Sequence, residues 1–150
     1  MKNFVALLLI AACALSTGAR GQNTLNSEPP SACPEPQDVS PLHLYGLWRA
    51  EFVGSAQGAT LLFEKHAEYA GSVSGGVNRD GDKALVAGDV DDGVFTLEES
   101  VDGHSISATW EGNVVEDSCG KEIRGTWRSA DGSISYPFVL RKVPESIKRP

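Results

Sequence analysis

Beyond its first residues the chain has no window of helical periodicity, and nowhere an apolar run long enough to cross a bilayer as a helix. The first absence argues against helical and α/β folds. The second argues against a transmembrane segment. Cysteine is scarce, three in 150 residues, and no Cys-x-x-Cys occurs. That argues against thioredoxin-like redox chemistry. No cysteine has a Cys or His neighbour at ligand spacing, so zinc is not expected either. Basic residues are the minority, 13 Lys and Arg against 20 Asp and Glu, for a formal net charge of −7. This balance argues against nucleic acid and anionic membrane surfaces as partners. The acid is dispersed, with no acidic tail, and reads as solubility.

Catalytic patterns are also missing. There is no nucleophile elbow, and the adjacent acids Asp91-Asp92 and Glu98-Glu99 would point to opposite faces of a strand. Asp89-Val90-Asp91-Asp92-Gly93 resembles a calcium loop, but its glycine falls at the fifth position and no acid stands at the twelfth. It reads as a turn. His43, His66 and His104 are far apart and show no ligand spacing. The chain is therefore expected not to be an enzyme and to need no metal and no cofactor.

What is present begins with a leader. Lys2 and the apolar run Phe4 to Ala14 have the form of a signal peptide, with small residues for cleavage at Thr17-Gly18-Ala19 or Ala19-Arg20-Gly21. Ile10-Ala11-Ala12-Cys13 offers the alternative of a lipobox, with Cys13 as lipid anchor. Conventional cleavage leaves Cys33 and Cys119. An even pair in an exported protein points to a disulfide, here one pinning an N-terminal arm to one end of the fold. The predicted organisation is a signal peptide over 1–19, a Pro-rich extended or disordered arm over 20–41, a β-domain over 42–143 and a polar tail over 144–150. The localisation expected is periplasmic or secreted, or membrane-anchored through Cys13.

Four Asp-Gly dipeptides punctuate the second half: Asp80-Gly81, Asp92-Gly93, Asp102-Gly103 and Asp131-Gly132. Between segments rich in Val, Ile, Phe, Trp and Thr they are strong hairpin signals, since both residues tolerate positive φ. Eight strands follow: Tyr45 to Val53, Ala59 to Lys65, Tyr69 to Asn78, Lys83 to Val90, Val94 to Val101, His104 to Val115, Glu122 to Ser129 and Ser133 to Lys142. Period-two alternation supports them. Ile106, Ala108 and Trp110 share one face. So do Ile123, Gly125 and Trp127, and again Ile134, Tyr136, Phe138 and Leu140. Eight sequential antiparallel strands close most simply into an up-and-down meander barrel. Gly71, Gly75, Gly76, Gly88, Gly112 and Gly125 fit places where strands coil sharply. Pro137 lies inside the last strand and removes a ladder donor. It demands a bulge or an imperfect seam, so a half-open barrel or a β-sandwich is the alternative.

Gly46-Leu47-Trp48 opens the first strand. From about Leu44 to Lys142 the chain resembles the calycins, eight-stranded barrels that include lipocalins and avidins and open with Gly-x-Trp. The resemblance implies that Trp48 closes one end of the barrel and that Arg141 or Lys142 packs over it. The avidin branch is nearest in size and in its plain meander. Its biotin set is not reproduced: Ala50 stands where avidins have a ligand-binding Asn, and Val73 where they have a Tyr. The fold carries over and biotin does not.

Trp48, Trp110, Trp127 and Phe138 either fill the core or line a cavity for an apolar or aromatic molecule. Glu99 shares a face with Phe95, Leu97 and Val101. There it needs a partner or a ligand to orient, unless the strand ends before it. Ser74 is the further polar candidate. The leading expectation is an exported non-catalytic binding protein that holds a small apolar or aromatic ligand through these six residues. The alternative is a protein–protein module, such as an inhibitor of a secreted peptidase or other hydrolase, that presents its Cys33-anchored arm. Some small exported barrels resembling the metalloprotease-inhibitor family work in this way. A third reading is a lipid-anchored envelope protein.

Overall fold

A computed structural model describes residues 33–146. The leader, the Cys13 lipobox, the arm before Cys33 and the end of the polar tail lie outside the described residues. The chain enters through a 3₁₀ turn (Pro36–Asp38) and a short helix α1 (Pro41–Leu44). Eight strands follow: β1 (Gly46–Phe52), β2 (Ala59–Lys65), β3 (Ser72–Arg79), β4 (Asp82–Asp91), β5 (Val94–Ser100), β6 (Ala108–Val114), β7 (Glu122–Ser129) and β8 (Ser135–Lys142). Each pairs antiparallel with the next, and β8 returns to β1, so the sheet closes into an up-and-down barrel. Closure leaves no sheet edge open.

The seam runs from Trp48 opposite Lys142 to Phe52 opposite Phe138. Pro137 lies one residue past its last pair. The Pro137 carbonyl still accepts a bond from the Val53 N–H at 2.9 Å. Along an antiparallel strand a residue's N–H and C=O point to the same neighbour. The donor that proline lacks would therefore face the end of β1, where the ladder is already finishing. The expected bulge or half-open seam is thus not needed.

Two of the Asp-Gly dipeptides make two-residue turns with both residues at positive φ: Asp80 at 51° with Gly81 at 106°, and Asp92 at 48° with Gly93 at 76°. The other two serve longer loops. Asp102 accepts the N–H groups of His104 and Ser105 at 2.8 and 2.7 Å. Asp131 accepts that of Ser133 at 3.0 Å. Each holds a loop by side chain–backbone bonds in place of a tight turn. The sixth strand consequently starts at Ala108 and not at His104, and the fifth ends at Ser100. Val101 and Ile106, read as inward, are exposed loop residues, and Ile134 is exposed as well. The third and eighth strands likewise begin later than their composition suggested, at Ser72 and Ser135.

Among the glycines, Gly75, Gly88, Gly112 and Gly125 permit close strand approach. A Cβ on Gly125 would stand 2.0 Å from the Glu111 carbonyl oxygen, and one on its opposite number Gly112 2.5 Å from that of Arg124. Gly71 and Gly76 show no such crowding.

One end of the barrel is closed by the N-terminal segment. The Cys33–Cys119 disulfide ties it to the loop between β6 and β7. Beyond that tie the segment is not extended. It turns twice, and buries Val39 and Leu44. Pro36 packs against Gly93, and Val39 against Gly120. The Trp48 indole N–H donates to the Leu44 carbonyl at 2.7 Å. Lys142 lies 6.0 Å from the centre of the Trp48 ring and donates to the His43 carbonyl at 2.6 Å. Of the two late basic residues it is Lys142 that packs over the tryptophan. Arg141 points outward to Glu122 and Glu51.

Candidate functional site

At the opposite end, strand alternation carries five inward positions to the rim. Phe52 ends the inward series of β1, Arg79 ends that of β3 and Glu99 that of β5. Trp110 and Trp127 face each other across β6 and β7. Glu99 is buried, 3% exposed. Its carboxylate accepts hydrogen bonds from the two terminal nitrogens of Arg79, Nη1 at 2.6 Å and Nη2 at 2.8 Å. Its Oε2 also accepts the indole N–H of Trp110 at 3.1 Å and of Trp127 at 3.2 Å. Burial pushes this carboxyl's pKa up. The Arg79 hydrogen bonds and charge, with the two indole donors, outweigh it and hold the group below its ordinary value of 4.5.

The guanidinium sits among aromatic rings. Its central carbon lies 5.9 Å from the Phe52 centroid, 5.7 Å from Trp110 and 5.6 Å from Trp127, within cation–π range. Tyr136 stacks on Trp127 at 6.2 Å, and Phe138 meets Trp110 edge-on at 5.0 Å. The four loops at this end carry Asp80, Asp102 and Asp131, and Asp82 begins β4. Hydrogen bonds lower Asp102 and Asp131 to pKa values of about 2.

Of the six expected site residues, the structure brings Glu99, Trp110, Trp127 and Phe138 together. Trp48 belongs to the other end, against Phe63 at 6.0 Å. Ser74 stands opposite Glu64 and Ala87 on the outer face, away from the aromatic rings of the rim, and meets Glu99 only along the outer concavity that both residues line. Arg79 and Phe52 were missed. The signal for Arg79 was available: Val73, Gly75, Val77 and Arg79 are one alternating series, which a strand ending at Asn78 cuts short.

The barrel interior is filled. Trp48, Leu61, Val73, Phe95, Ile123 and Leu140 are each 0% exposed, so no void that admits water lies against them. Concavities of about 690, 430 and 450 Å³ open on the outer surface instead. The first two adjoin at Gly76 and Leu85. Around them stand Leu47, Leu62, Leu85, Val101 and Ile106, all exposed.

No protein-family profile matches the chain, and no curated protein matches it. A solved structure described as EF1p2_mFAP2b bound to DFHBI is similar over 73% of this chain and 100% of that one, at 11% identity and a TM-score of 0.44. A likeness of that degree bears on neither family nor ligand. The closed eight-stranded barrel stands on its own strand pairing.

Proposed function

We propose that this is an exported, non-catalytic binding module that engages a protein partner through its surface. The observation that carries the reading is the filled interior. A barrel holding a small molecule inside needs a cavity of a few hundred cubic ångströms, and here aromatic side chains occupy that volume. Export is supported by the Cys33–Cys119 disulfide, a bond that persists in oxidising compartments. A protein partner is supported by the outer apolar surface around Leu85, since exposed apolar patches of this kind mark interaction sites. The absence of turnover is supported by Glu99, whose charge is neutralised by Arg79 and not poised for proton transfer.

Native mass spectrometry of the protein isolated from its own source tests this. The expected result is a stoichiometric protein partner that is lost with Leu85→Asp while circular dichroism stays that of the barrel. A small molecule of constant mass, retained without any protein, would overturn it.

A further inference from the structure

We propose that the rim cluster is a guanidinium-binding socket in which Arg79 is a displaceable resident, and that it takes an arginine side chain of the partner. This rests on the protein-partner reading above. Glu99 forms the floor, and the rings of Phe52, Trp110 and Trp127 form the walls. The floor does not depend on Arg79 for its position. Two indole N–H groups hold the Oε2 atom, so the carboxylate stays aimed when the guanidinium leaves. The resident is placed to leave: its side chain is 21% exposed against 4% for Glu99, and it belongs to the last residue of β3, beside a two-residue turn.

Exchange of one arginine for another is nearly neutral in energy at the socket. The incoming group remakes the bidentate pair and the ring contacts that Arg79 gives up. A lysine ammonium cannot make the planar two-point pair, and a neutral group leaves Glu99 charged and uncompensated. The socket thus supplies selectivity, and contacts elsewhere supply the net affinity. Asp80, Asp82, Asp102 and Asp131 lie in or beside the loops at this end of the barrel and favour the approach of a cation.

The experiment uses the full chain with Arg79→Gln, titrated with ethylguanidinium and, separately, ethylammonium at equal ionic strength. Tryptophan fluorescence and thermal melting are the readouts. Saturable binding of ethylguanidinium, at least about tenfold tighter than ethylammonium and abolished by adding Glu99→Gln, is the expected result. Equal response to both cations, or to neither, overturns the socket. Should Arg79→Gln not fold alone, recovery on refolding is scored instead: recovery with ethylguanidinium only supports the proposal, and recovery with both or neither overturns it. In the wild-type complex, arginine amide is expected to displace the partner where lysine amide does not. A partner indifferent to both amides would sink the socket and leave the binding function standing. A selective socket in a protein that captures no partner would do the reverse.

Discussion

Glu99 is the residue on which the rim depends. Its strand position forces it inward, and burial of a carboxylate is tolerated only with partners. Because its folded pKa lies below 4.5, its ionised form stabilises the fold. That contribution is complete above pH 4.5 and is lost as the pH falls through the lowered folded value. Glu99→Gln is expected to cost about 3 kcal/mol at neutral pH, the low end for breaking a buried pair, since Arg79 keeps some contact with water. The gap between wild-type and Glu99→Gln melting temperatures should be widest above pH 4.5 and close in acid. A gap that does not narrow with acid would show that the charge is irrelevant. The inward facing of Glu99 was legible from Phe95 and Leu97 before it. Its partner was not, because Arg79 lies 20 residues away and only the pairing of β3, β4 and β5 brings the two together.

The elements are set by where the backbone can turn and approach itself. At Gly112 and Gly125, β6 and β7 come so close that a single added methyl would meet carbonyl oxygen. Gly132 differs. Nothing lies within 4 Å of a Cβ there, but its φ is +71°. Gly125→Ala is therefore expected to lose about 3 kcal/mol, as overpacking does. Gly132→Ala should lose about 1 kcal/mol, the cost of a side chain in the left-handed region. Urea denaturation of the two variants checks this, and equal losses would refute the close-approach argument. The dipeptides themselves foretold turns. They did not foretell which turns would be tight. Asp102 and Asp131 instead hold longer loops through their side chains, and that choice moved Val101 and Ile106 from the interior to the surface.

In the whole molecule, the two barrel ends are closed by different means. The rim end is closed by an ion pair among aromatic rings. The other is closed by a segment tethered through a disulfide of sequence separation 86. A cross-link over so long a loop stabilises by about 4 kcal/mol in the chain-entropy picture. Replacing Cys33 and Cys119 with Ser should lower Tm by on the order of 20 °C for a domain of this size. It should also shift the emission of Trp48, which rests under Leu44 and Lys142. An unchanged Tm would mean that the segment holds its place through its non-covalent contacts alone, those of Pro36, Val39, His43 and Leu44.

The order of strands, the meander and the cysteine partnership are determined by the sequence itself. Period-two alternation, turn-forming dipeptides and a single cysteine pair beyond the first 20 residues are local or countable properties. What only the tertiary structure decided is what the enclosed space contains and what each rim residue faces. Those depend on how far each strand runs and in what register it meets its neighbours. A strand one residue longer brings Arg79 to Glu99, and a ladder one pair shorter makes Pro137 harmless.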